Sequence, residues 1–151
     1  MTAIIGNISL IFAALISFYQ FLNIRNINKI RWLNADKAIS LQFFFVLLSF
    51  FSLMFAYIVS DFSILNVYQN SHSAKPLLYK ITGVWGNHEG SMLLWVLVLV
   101  FFGFLISKFD ERLDAPYKTL TLSFQSLITF IFLLFILLSS NPFIIISPTP
   151  I

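Results

Sequence analysis

Charged and neutral positions are segregated along this chain to a degree that soluble domains do not show. Four runs, Met1–Ile24, Ala38–Ser60, Gly90–Ser107 and Thr119–Ile151, contain no Asp, Glu, Lys, Arg or His. A bilayer core of about 30 Å is crossed by about 20 helical residues, and each run reaches that length or comes close to it. The runs predict four transmembrane helices, over about 3–23, 40–59, 90–107 and 120–140. The longest polar stretch, 61–89, separates the second from the third, and an apolar tail, 141–151, follows the fourth. The expected fold class is an all-α integral membrane protein, residues 1–151 forming a single transmembrane domain with a long outer loop between helices 2 and 3.

Within that frame the pattern becomes local. Gly6, Ala13, Ala14 and Ser17 give helix 1 small residues that allow close helix approach. Helix 2 carries phenylalanine on every face, as expected of a helix surrounded by lipid or other helices. In the outer loop, Ser63–Tyr68 alternates too weakly for a strand, Asn70-Ser71-His72-Ser73 is turn-forming, and Pro76 suits the start of a short helix through Lys80. The loop's apolar residues argue for order against the membrane surface. A continuous helix through 85–95 would align Trp85, His88, Met92 and Trp95, with Gly86 and Gly90 as a flat patch. The reading favours a break near Gly86 instead. Lys108–Thr119, with Pro116, reads as a solvated connector. Asn141-Pro142 stops helix 4. The tail beyond, punctuated by Pro148 and Pro150, is expected to pack on something outside this chain, because backbone facing lipid must be hydrogen-bonded.

Composition agrees: 59% hydrophobic and 10% charged residues, against roughly 45–50% and 25% in soluble domains. Of nine basic residues, Arg25, Lys29, Arg31, Lys37, Lys108, Arg112 and Lys118 fall in the first and third loops, and only Lys75 and Lys80 in the second. The positive-inside rule then turns both termini and the 61–89 loop outward. The basic loops read as topology determinants, and no nucleic-acid partner is implied. Trp32 beside Arg31 suits the headgroup region. There is no cysteine, hence no disulfide or thiolate metal site. The N-terminus lacks a basic region and a cleavage site, so the first helix is expected to stay. The 19 phenylalanines, beside much Ile and Asn, suit an AT-rich, organellar gene.

Candidate chemistry collects in one place, Trp85 to Trp95, where polar loop meets apolar run. No nucleophile–base–acid set is visible. His72 and His88 offer two imidazoles for the axial positions of a haem iron, or two interfacial histidines bonded to water or backbone. Trp85 and Trp95 offer a flat platform for a porphyrin, or an aromatic belt. Lys75 and Lys80 can pair with haem propionates or remain solvated.

The segment Trp85-Gly86-Asn87-His88-Glu89-Gly90-Ser91-Met92-Leu93-Leu94-Trp95 resembles the W-G-x-H-E-G-S-x-L-L-W stretch of the cytochrome c maturation haem lyase family, CcmF. Ile5-Gly6-Asn7, Asp61-Phe62-Ser63 with Val67 and Asn70, and Ser140-Asn141-Pro142-Phe143 agree in order. The resemblance covers only the N-terminal part of that family's protein, as in a split subunit or a truncated copy. It implies a part in haem handling and covalent haem attachment to apocytochrome c, within a haem lyase and not catalytic alone. The implied location is the mitochondrial inner membrane, or the bacterial inner membrane, with both termini on the outer side. Implied partners are the remaining lyase segments, apocytochrome c, a haem-delivery chaperone and the lipid bilayer. The implied cofactor is haem, shared with those chains. Trp85, His88 and Trp95 are the expected cofactor-binding residues, and Gly86, Glu89, Gly90 and Ser91 the expected motif or interaction residues. No catalytic or metal residue is assigned. The family's tryptophan-rich tract and transmembrane histidines have no counterpart here, so its haem ligands transfer to no residue. The alternative is a structural subunit of an inner-membrane assembly complex without haem contact. A transporter is disfavoured by the absence of buried charge and of paired broken helices.

Overall fold

The computed structural model describes residues 1–22, 35–109 and 114–146. Four long helices, α1 (Thr2–Leu22), α2 (Ala35–Val59), α5 (His88–Phe109) and α6 (Ala115–Ser139), are each long and apolar enough to cross a membrane. Two short ones, α3 (Leu65–Asn70) and α4 (Leu77–Gly83), lie in the loop between α2 and α5. The long helices form a ring in which α1 packs on α2 and α6, and α5 packs on α2 and α6. The N-terminus of α1 and the C-terminus of α6 share one end of the bundle, where Asn141 donates to Asn7 at 2.8 Å. Trp32 and the basic residues Arg25, Lys29, Arg31 and Arg112 lie outside the described residues.

Helix starts exceed the charge-free runs because a membrane helix continues into the interface wherever its first turn can be satisfied. At α2 this brings in Asp36, an acid in the positive end of the helix. At α6 it brings in Pro116, which removes no donor in a first turn whose N–H groups have no partner anyway. The segment expected as a connector up to Thr119 is therefore helical from Ala115.

Packing follows residue size. On α1 the buried positions are Ala3, Gly6, Ser9, Leu10, Ala13, Ala14, Ser17 and Gln20, so the small residues do form its contact stripe. Lipid gives little hydrophobic drive between helices, so close packing and interhelical hydrogen bonds carry more of the association. Here Gln42 donates to Ser17 Oγ at 2.6 Å, Ser126 donates to Gln20 Oε1 at 2.6 Å, and Ser49 donates to the Gly6 carbonyl at 3.2 Å. At the far end Ser107 donates to Asp36 Oδ1 at 2.6 Å and Lys118 to the Ser107 carbonyl at 2.6 Å, joining α2, α5 and α6. Each such bond contributes about 0.6 kcal/mol in a bilayer.

The tail corrects an expectation. Its described part finds its partners within the chain. Leu65 N–H donates to the Ile144 carbonyl at 2.8 Å and Ile146 N–H to the Ser63 carbonyl at 2.9 Å, around an antiparallel bridge between Ile64 and Ile145. Phe143 is buried against Gly6, where a Cβ would overlap its ring. Asn141 Oδ1 accepts from Phe143 N–H at 2.9 Å and makes the turn. The outer loop supplies the strand edge that the tail lacked on its own.

Candidate functional site

The loop–helix junction is built outward from the end of α2. That helix closes with Ser60 in the left-handed region (φ 56°), Asp61 N–H reaching the Ala56 carbonyl at 2.9 Å and Ser60 N–H reaching Tyr57 at 3.2 Å. This is the Schellman closure, with serine where glycine is commoner. Lys80 on α4 donates to the Ser60 hydroxyl at 2.7 Å, tying α4 to this corner. Asp61 accepts from the Ser63 hydroxyl at 2.5 Å and the Thr2 hydroxyl at 2.9 Å. Its carboxyl is held below the usual carboxylate range, first by the Ser63 hydroxyl, against some desolvation, then by Thr2, the Ser63 N–H and the N-terminal ammonium.

The helix of α4 then gives way to a turn, Val84–Asn87, and α5 begins at His88. The break lies at Gly86, as the sequence favours, so Trp85 is not on a helix face with His88. Asn87 is the helix cap: its Oδ1 accepts the Gly90 N–H at 2.8 Å, the third helical position. The same side chain closes a ring of three hydrogen bonds. Tyr57 donates to Asn66 Oδ1 at 2.6 Å, Asn66 donates to Asn87 Oδ1 at 2.8 Å, and Asn87 donates back to the Tyr57 oxygen at 2.9 Å. Asn66 also donates to Glu89 Oε2 at 3.1 Å. Tyr57 and Asn66 are buried, and a buried polar group left without a partner costs about 1–3 kcal/mol. The ring thus joins α2, α3 and the start of α5.

The motif divides into two halves by direction. Asn87, Glu89, Gly90 and Ser91 face inward or along the backbone. The Ser91 hydroxyl has two carbonyl acceptors within reach for its one proton, Asn87 at 2.5 Å and Trp85 at 2.8 Å. Gly90 is buried where any Cβ would overlap the Val84 carbonyl. Gly86 is exposed, with ordinary room for a methyl group, so the pair makes no flat helix patch. Trp85, His88 and Trp95 face outward. Trp85 stacks on Phe50 of α2 (centroids 6.5 Å apart, planes 17°) and remains 38% exposed. His88 is exposed and meets Phe135 of α6 edge-on at 6.4 Å. Trp95, seven residues down the same face, is 70% exposed. His72 has its own surroundings: its Nδ1 accepts the Ala74 N–H at 3.2 Å. Among the described residues no three His, Cys, Asp or Glu side chains gather as a metal site.

The residues that the sequence reading passed over are Tyr57, Asn66 and Asn87. Asn87 occupies the variable letter of the motif, but an Asn just before an apolar run is a helix-start signal. Tyr57 and Asn66 carry no such signal, since their partnership spans three elements.

Over 116 residues, 77% of this chain, the sequence is 53% identical to the cytochrome c-type biogenesis protein CycK of Rhizobium meliloti, of which it covers 17%. Cytochrome c-type biogenesis protein ccl1 of Rhodobacter capsulatus is 47% identical over 116 residues, 77% of this chain and 18% of that protein. CcmF of Pseudomonas fluorescens is 42% identical over 102 residues, 68% of this chain and 16% of that protein. The chain is homologous to the CcmF/CycK family of cytochrome c-type biogenesis proteins. The CcmF fold agrees: a solved structure of cytochrome c heme lyase CcmF superposes with a TM-score of 0.83 at 26% identity, over 95% of this chain and 25% of that one. No family model matches. The chain spans 16–18% of the length of these CcmF/CycK relatives. Against that background the tail and the outer loop are parts of one corner of a CcmF-like bundle.

Proposed function

We propose that this chain is the N-terminal four-helix part of a cytochrome c haem lyase. In this reading it takes part in haem handling and in covalent haem attachment to apocytochrome c, together with the remaining lyase segments and a haem-delivery chaperone. The observation that carries the reading is the division of the motif. The hydrogen-bonded ring of Tyr57, Asn66 and Asn87 anchors the turn that carries Trp85 and His88, and Trp85, His88 and Trp95 all keep exposed surface. An exposed imidazole can ligate haem iron, and exposed indoles can lie against a porphyrin. When bound, haem would bring the vinyl groups that the apocytochrome thiols attack. This chain's own residues would hold and orient it. Haem is cargo here, shared with partner chains, and the chain alone is not the catalyst.

The location that fits is an energy-transducing inner membrane with both termini on the outer side, as the distribution of basic residues directs. The phenylalanine-rich composition suits a mitochondrial inner membrane and a bacterial one alike. Two measurements test the reading. Affinity purification from the native membrane is expected to bring down the remaining lyase segments. His88→Ala is expected to lower holocytochrome c yield at least about tenfold at unchanged protein level, the least that loss of an axial or positioning contact of about 1.4 kcal/mol gives. A second reading, an assembly subunit without haem contact, is favoured by the inward use of Asn87, Glu89, Gly90 and Ser91. Unchanged holocytochrome yield in His88→Ala would select it.

A further inference from the structure

We propose that the open cleft between α4 and the Trp85–Gly86 turn binds a flat, apolar carboxylate, and that a porphyrin dicarboxylate is the ligand it takes. The identity of the ligand rests on the haem-handling reading above; the preference for a carboxylate rests on the cleft alone.

The cleft holds about 560 Å³, within the range of small-molecule sites. Lys75, Pro76, Tyr79, Thr82, Gly83 and Gly86 line it, with Asn70 at its edge, and none of these is acidic. Its one cation, Lys75, donates to the Asn70 carbonyl at 2.8 Å. An ammonium has three donors, so this bond fixes the group in place and leaves two for an anion. The Asn70 amide is occupied with the Asn66 carbonyl at 2.9 Å, and Lys80 with Ser60 at 2.7 Å, which leaves Lys75 as the anion's partner. The Tyr79 ring, 62% exposed, and the Pro76 ring give apolar wall. Gly83 and Gly86 give wall without side chains, against which a planar body can lie at van der Waals distance. A cation at one end and bare or aromatic wall beyond it suit a ligand with a carboxylate at one edge and a flat apolar body.

The cleft is separate from His88, which faces α6. The test therefore uses metal-free protoporphyrin IX, which an imidazole cannot ligate, and its dimethyl ester, which has the same body without the charge. Binding to the full chain in lipid nanodiscs is followed by porphyrin fluorescence, with empty nanodiscs subtracted. Lys75→Ala is expected to weaken the acid about three- to fivefold, the scale of an exposed ion pair, and to leave the ester unchanged. Raising salt should act on the acid in the same way. Gly86→Leu, which adds bulk to the cleft wall at a position where a Cβ makes only ordinary contacts, is expected to weaken acid and ester alike, more than tenfold. The proposal is overturned if Lys75→Ala changes neither porphyrin or both equally, or if Gly86→Leu changes neither. Iron protoporphyrin separates this outcome from the wider reading. If the cleft fails these tests while His88→Ala still removes the haem absorption shift, the cleft is wrong and haem handling stands. If the cleft discriminates acid from ester but the wild-type chain gives no haem shift, the haem reading fails and a carboxylate site remains.

Discussion

Two glycines four residues apart divide the candidate site between architecture and access. Gly90 cannot carry a methyl group without driving it into the Val84 carbonyl, whereas Gly86 can. Gly90→Ala is expected to cost about 2–3 kcal/mol, as overpacking against backbone does, and to lower membrane accumulation. Gly86→Ala should stay within about 0.5 kcal/mol in detergent unfolding. Asn87→Ala removes a cap worth about 1 kcal/mol and leaves Tyr57 and Asn66 short of partners, for a total of about 2–4 kcal/mol. Asn87→Asp keeps the acceptor for Gly90 and loses the donor to Tyr57, so its unfolding midpoint should fall between Asn87→Ala and wild type. Legibility at this scale was uneven. The conspicuous letters His88, Glu89 and the tryptophans drew the sequence reading, and they are placed where the break near Gly86 puts them. The hub is the unremarked Asn87, because its importance lies in Tyr57 and Asn66, which are 30 and 21 residues away along the chain.

At the level of elements, the spans were readable because lipid permits little else. The tail was not, because an apolar segment with unpaired backbone has the same appearance whether its partner is a second protein or its own loop. Ser63–Leu65 proved to be that partner. The seam can be tested by coupling. Phe143→Ala is expected to cost about 3–5 kcal/mol and Gly6→Ala about 1–3, while the double substitution should cost less than their sum by at least about 0.5 kcal/mol, since the added methyl then meets no ring. The Thr2–Asp61–Ser63 tether predicts a pH dependence. A carboxyl held below its ordinary range stabilises fully above the unfolded carboxylate range, and the contribution is lost as pH falls through the folded value. Asp61→Asn should therefore flatten the acid side of the stability profile and leave neutral pH as the point of greatest difference from wild type.

For the whole molecule, the ring of four helices with both described ends on one side makes orientation a single binary question. Tyr68 is exposed on α3. After a Tyr68→Cys change in this cysteine-free chain, an impermeant thiol reagent is expected to label it from the outer side; labelling only from the opposite side reverses the topology. Charge counting along the sequence was enough to pose this question, since the asymmetry of basic residues is a property of the loops and not of their packing. What packing adds is the asymmetry between helices: the apolar stretch of α5 is the least buried of the four long helices and that of α2 the most. His88 and Trp95 therefore stand on one of the barest sides of the bundle.

The side-chain stitches at the two ends of α5 also fix a length. Asn87 is tied to α2 and α3, and Ser107 to α2 and α6. Twenty helical steps between them amount to roughly 30 Å. A bundle pinned at both ends cannot tilt its helices independently, so it acts as a spacer to which the surrounding lipid must adjust. In vesicles of graded acyl-chain length its unfolding resistance should peak where the hydrocarbon thickness matches that span, and fall off on both the thin and the thick side.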